Sequence, residues 1–269
     1  MADKGKVYRE LFFYIFIYII YYCILASVLE GYGVGVSAIT ALSMILAVNS
    51  VRKKENKRYG IGIMEALGVN IVKLGFKEFC VLILLGLSLN FIAGGIINLL
   101  PAALSQGYSE NTAYVLRGNT ISTVVFIAVI TPLLEEVFFR GIIQRKLAYC
   151  LGDYRGLVAA ALVFGLMHFN IIWSIYTAVI GFFIGAIYIY YGSVLPGALV
   201  HCVFNLVSCV PLIAMKYEKL YRYTFGSKAY VVLTLVLGFI ILYFVFEKTW
   251  LKRYIADTVY AFKPTTAVN

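Results

Sequence analysis

Aspartate is almost missing from this chain. Only Asp3, Asp153 and Asp257 occur, and none lies inside an apolar run, which excludes a pair of intramembrane aspartates sharing acid and base work. No HExxH occurs, so that helical zinc signature is absent too. The five cysteines, Cys23, Cys80, Cys150, Cys202 and Cys209, contain no CxxC pair and indicate no disulfide framework. Charge is scarce: 13% of residues are Asp, Glu, Lys or Arg against 62% hydrophobic, with a mean hydropathy of +0.89. An ordinary soluble domain of 269 residues does not have that balance.

What is present is a succession of apolar runs, each close to the ~20 residues that a helix needs to cross the hydrocarbon core. They fall at about 11–29, 32–51, 80–104, 120–145, 156–170, 171–192, 194–215 and 229–250. The expectation is an all-α, multi-pass transmembrane helical bundle of about eight spans, forming one integral membrane domain over 1–269. MADKGKVYRE is basic, but the run after it has no small-residue cleavage signal and reads as a retained first span. Between the second and third runs, IGIMEALGVNIVKLGFKEF places Glu65, Lys73 and Lys77 at multiples of four, as in an amphipathic helix lying at the interface.

The net charge of +10 comes mainly from short loops beside apolar runs, so it reads as a topology signal and not as a nucleic-acid surface. With eight spans, the basic residues before span one, in RKKENKR, after span four and after span eight all share one side. That side is expected to be the cytoplasm, with both termini on it. The segment KYEKLYRYTFGSK, residues 216–228, is a basic exception to this count.

Only two histidines occur, His168 and His201, and both fall in apolar runs, as do Glu135 and Glu136 in TPLLEEVFFRG. Ionisable groups at membrane depth are costly, face the protein interior or a wet cavity, and mark candidate functional sites. Glu136 and Arg140 are four apart and can pair on one helix face. Glu135 is rotated about 100° away, which leaves it free for general-base work. Pro132 cannot donate to the carbonyl of Ala128 and is expected to bend the helix. Phe164 shares a face with His168, and His201 with Asn205; two donors one turn apart suit a developing oxyanion. At about 1.5 Å per residue, Glu135, His168 and His201 reach similar depths of about 10 to 18 Å from the cytoplasmic ends of their spans.

EEVFFR at 135–140, FGLMH at 164–168 and HCVFN at 201–205 stand in that order on separate spans. As EExxxR, FxxxH and HxxxN they resemble the CaaX-protease and bacteriocin-processing (Abi) family of intramembrane glutamic-type endopeptidases, over a core of about 120–215. The spacing of 33 residues from His168 to His201 is similar to the compact prokaryotic members. The resemblance implies that Glu135 and His168 activate water, that His201 and Asn205 form the oxyanion hole, and that Glu136 and Arg140 support the helix. It implies a membrane-associated peptide or protein tail as substrate, in a prokaryotic cell membrane, with no cofactor.

Other readings of the same residues stand beside this one. Glu136 with Arg140 also reads as a structural pair, and Asn205 as an interhelical bridge. Glu135, His168 and His201 would suit a catalytic zinc. A non-enzymatic immunity or scaffold protein could keep the same motifs. A proton-coupled transporter is disfavoured by the lack of two repeated halves.

Overall fold

The computed structural model describes residues 4–59, 64, 67–101, 107, 110, 112, 114, 115, 120–214 and 218–248, and all of its regular elements are helical. In lipid the backbone must satisfy its own hydrogen bonds, so apolar runs of this length become helices. The main elements are α1 (Lys4–Leu29), α2 (Val36–Tyr59), α3 (Phe76–Leu99), α4 (120–151), α5 (Asp153–Leu166), α6 (Ile171–Tyr191), α7 (Val194–Ala214), α8 (Glu218–Tyr223) and α9 (Lys228–Lys248).

Among the described residues, six stretches are long and apolar enough to cross a bilayer: Lys4–Tyr32, Phe76–Leu99, Ile121–Leu151, Ile171–Tyr191, Val194–Pro211 and Lys228–Glu247. Two of the eight expected spans are shorter. Within α2 the apolar part is Val36–Arg52. α5 has 14 residues, about 21 Å of helix, which falls short of a hydrocarbon core about 30 Å thick. It ends at Leu166 because His168 and Phe169 donate their amides to the carbonyls of Gly165 and Leu166, closing a tight turn. Phe169 sits there at φ 51°, in the left-handed region. Asn170 then starts α6, its Oδ1 accepting from the amides of Ile172 and Trp173 at 3.1 Å each.

The expected interfacial helix is not found where the chain is described. Residues 67–75 form a turn and an extended strap, and Glu65 lies outside the described residues. The strap's polar groups are committed elsewhere. Val194 N donates to Gly68 O at 3.0 Å, Ser193 Oγ to Asn70 O at 2.6 Å, and Asn70 Nδ2 to Gly192 O at 2.8 Å. Gly68, at φ +72°, lies against the Cα of Gly141. A helix here would lose the left-handed turn and the bonds to the α6–α7 junction. Ser193 also caps the start of α7, its Oγ accepting from Leu195 N at 3.3 Å.

Two apolar clusters flank the centre. One joins α1, α2, α4 and α5 around Tyr14, Met44, Phe138, Phe139 and Phe164. The other joins α3, α6, α7 and α9 around Leu82, Leu85, Ile184, Val200 and Val245. α1 is further tied to α4 by a buried ion pair, Lys146 Nζ to Glu10 Oε2 at 3.1 Å, with the ammonium 5.2 Å above the Tyr14 ring.

Candidate active site

The site lies where α4, the end of α5, α6 and α7 meet, and α4 is not a regular helix there. Phe126–Ile130 and Val137–Gln144 are wound as π-helix, with Thr131–Glu136 α-helical between them. Such bulges shift the angular relation of side chains before and after them. The amide of Thr131 donates to Phe126 O, five residues back. In that register Ile127 O would be served by the N–H of residue 132, which is proline and has none. Asn205 Nδ2 fills the position, donating to Ile127 O at 2.9 Å. The affected carbonyl is therefore that of Ile127 and not, as an α-helical count suggests, that of Ala128. Thr131 also ties α4 to α2 through Oγ1, which donates to Ser37 O at 3.2 Å.

Between the two π segments stand both glutamates. Glu136 and Arg140 are fully buried and pair at 3.1 Å, Nε to Oε2. The angle is not that of an aligned hydrogen bond, so charge holds the contact. Arg140 Nη1 and Nη2 have no hydrogen-bond partner among the described residues. The guanidinium carbon lies 4.5 Å above the Phe164 ring, whose face attracts the cation. Glycine makes room on two sides. A Cβ at Gly181 would stand 3.0 Å from Phe164 and 3.5 Å from Arg140 Nη2, and one at Gly197 would stand 2.8 Å from Ile184 Cγ2.

Glu136 is not committed to Arg140 alone, as spacing on one helix suggested. Its Oε1 accepts from His201 Nδ1 at 2.9 Å, across the α4–α7 interface. The other nitrogen of that ring, Nε2, lies 3.6 Å from Glu135 Oε2. Adjacent carboxylates thus address opposite edges of one imidazole. The side chain of Glu135 keeps 12% of its surface exposed while that of Glu136 keeps none, so only Glu135 can meet water or a ligand.

His168 is held differently. Its Nδ1 donates to Phe164 O at 2.9 Å; because a carbonyl can only accept, a hydrogen sits on Nδ1, and in the neutral ring Nε2 carries the lone pair. Thr177 Oγ1 lies 3.5 Å from the same Nδ1 and donates its own hydrogen to Trp173 O at 2.5 Å. Phe164 links the whole arrangement. Its ring meets the rings of His168, His201 and Phe139 edge-on at 5.1, 5.8 and 5.0 Å between centroids, besides the Arg140 guanidinium.

All six sequence candidates are in this region. Glu135, Glu136, Arg140 and His201 form one continuous polar chain, His168 joins it across the Phe164 ring, and Asn205 faces the opened turn of α4. Helical spacing places Phe164 on the face of His168 but marks neither Thr177 nor Tyr18. The Tyr18 ring of α1 lies tilted against Phe138, 5.7 Å between centroids and one turn beyond Glu135, and its phenol lies within electrostatic reach of the Glu135 carboxylate. No spacing rule links a tyrosine at 18 to a glutamate at 135. Among the described residues, no three His, Cys, Asp or Glu side chains form a group placed to hold a metal ion.

Residues 117–207 match the family described as Type II CAAX prenyl endopeptidase, Rce1-like. That segment contains every candidate residue of the site. No curated protein and no solved structure matches the chain.

Proposed function

We propose, for a chain that belongs to the CaaX-protease and bacteriocin-processing family, an intramembrane peptidase of glutamic type acting on a membrane-associated peptide or protein tail. The observation that carries this is the approach of Glu135 Oε2 to His201 Nε2 at 3.6 Å, with Glu136 on the far side of the ring and Arg140 behind it.

Charge counting gives the working state. Two carboxylates and one guanidinium leave one negative charge in a low-dielectric interior, where unbalanced charge is costly. One further proton, held between Glu135 Oε2 and His201 Nε2, balances it; with that proton on Nε2, His201 donates from Nδ1 to Glu136 and Glu135 is a carboxylate. A water placed between Glu135 and the Nε2 lone pair of His168 is oriented by two acceptors. Glu135 takes its proton as the oxygen attacks the scissile carbonyl carbon, and the resulting oxyanion is stabilised by His201 Nε2–H and the second N–H of Asn205. Collapse breaks the C–N bond, and Glu135 returns the proton to the leaving amine.

The substrate reaches the site laterally between helices, from a cell membrane of prokaryotic type in which both termini face the cytoplasm. The experiment is substrate trapping. Membrane peptides are compared by mass spectrometry between wild type and Glu135→Ala, with accumulation of uncleaved species expected in the variant. Identical peptide profiles would remove the peptidase reading.

A further inference from the structure

Two irregularities of the fold coincide at position 132. The π-turn at Phe126–Ile130 sends the Thr131 amide to Phe126 O, so the carbonyl of Ile127 needs its donor from residue 132. Proline at 132 supplies none. In the membrane interior an unserved carbonyl is expensive. The repair comes from α7, where Asn205 Nδ2 lies 2.9 Å from Ile127 O. Because Ile127 O accepts only, the carboxamide must turn its nitrogen and not its oxygen toward α4. One Nδ2 hydrogen is thereby fixed. The second diverges from it in the amide plane, so its direction is fixed as well.

We propose that Pro132 is a positioning residue for Asn205. By removing the backbone donor it opens a carbonyl that clamps the carboxamide in one of its two flipped orientations, so that the remaining N–H is held ready for the oxyanion. This goes beyond a kink: spacing leaves Pro132 a bend and Asn205 either an oxyanion donor or an interhelical bridge, whereas the geometry couples the two through Ile127. The proposal rests on the oxyanion role of Asn205 given above. Restoring an N–H at 132 lets the backbone serve Ile127 and releases the carboxamide to flip.

The test is a double-mutant cycle on the full-length protein in detergent or vesicles, reading kcat, KM and Tm for wild type, Pro132→Ala, Asn205→Ala and the pair. Asn205→Ala is expected to lower kcat on the order of a hundredfold, the loss seen when one oxyanion donor is removed. Pro132→Ala is expected to lower kcat about tenfold with KM unchanged, and the pair to be no worse than Asn205→Ala, since Pro132 acts through the carboxamide. In stability the order reverses. Asn205→Ala strands the Ile127 carbonyl and lowers Tm, and adding Pro132→Ala recovers most of that drop.

Multiplicative losses of kcat in the pair, a Tm of the pair no higher than that of Asn205→Ala, or wild-type kcat in Pro132→Ala would each overturn the coupling. If Pro132→Ala does not fold, Pro132→Gly, which also restores the N–H, takes its place in the cycle. The peptidase reading fails separately, through an active Glu135→Gln. The Tm arm does not depend on activity and still reports on the Pro132–Asn205 pair.

Discussion

Glu135 and Glu136 meet opposite nitrogens of one imidazole: Oε2 of Glu135 lies 3.6 Å from His201 Nε2, and Oε1 of Glu136 accepts from His201 Nδ1 at 2.9 Å. Neighbours on a helix point about 100° apart, so a group on another helix can sit between them only by lying along the bisecting direction. His201 does so, and the two carboxylates acquire unequal duties. Glu136, sealed against Arg140, holds the ring from the buried side; Glu135, partly exposed, is the member a ligand can reach.

Glu135→Gln and Glu136→Gln should therefore separate. The first removes the base while keeping size and packing; peptide cleavage should fall by at least about a thousandfold with Tm within a degree or two of wild type. The second leaves the Arg140 guanidinium buried without its counter-ion, which costs about 3–5 kcal/mol. Thermal unfolding in detergent should show a lowered Tm for Glu136→Gln alone. Equal Tm values for both variants would contradict the division of labour.

Phe164→Leu should damage catalysis without removing a polar group. The ring carries the Arg140 guanidinium at 4.5 Å and meets both imidazoles edge-on. Losing a desolvated cation–π contact of about 2 kcal/mol and the aromatic wall should lower kcat roughly tenfold and reduce Tm. Steady-state cleavage with unchanged kcat would show that the ring only fills space.

Chelation gives a third check. No three candidate ligands converge among the described residues, and the proposed chemistry uses hydrogen bonds only. Activity of the purified protein should survive prolonged incubation with a strong chelator, measured by peptide cleavage. Activity lost to chelator and restored by zinc would revive a metal-dependent reading of Glu135, His168 and His201.

The strap at 67–75 predicts a steric effect at a distance from the chemistry. A Cβ at Gly141 would collide with the backbone carbonyl of Leu67, an atom that cannot rotate aside. Gly141→Ala should displace the strap and lower Tm by several degrees, an overpacking cost of about 1–3 kcal/mol. Gly31, with nothing within 4 Å of its Cβ position, is the control, and Gly31→Ala should be neutral in the same melt.

The sequence by itself determined that the chain is a helical membrane bundle, because apolar runs of bilayer length can satisfy their backbone in no other simple way. It also singled out the candidates for chemistry, because two histidines and two adjacent glutamates are costly at that depth, and the spacing of four already paired Glu136 with Arg140. Only the tertiary structure decided how these groups face one another. The attachment of His201 to Glu136, the bond from Asn205 to Ile127 and the reach of Tyr18 toward Glu135 join residues 65, 78 and 117 positions apart, which no helical period encodes. The π-turns, the short α5 and the extended strap were hidden for a related reason. The first π-turn and the strap exchange local backbone bonds for ones supplied by distant segments, α5 ends in a tight local turn, and hydropathy records how apolar a residue is but not where its backbone finds a partner.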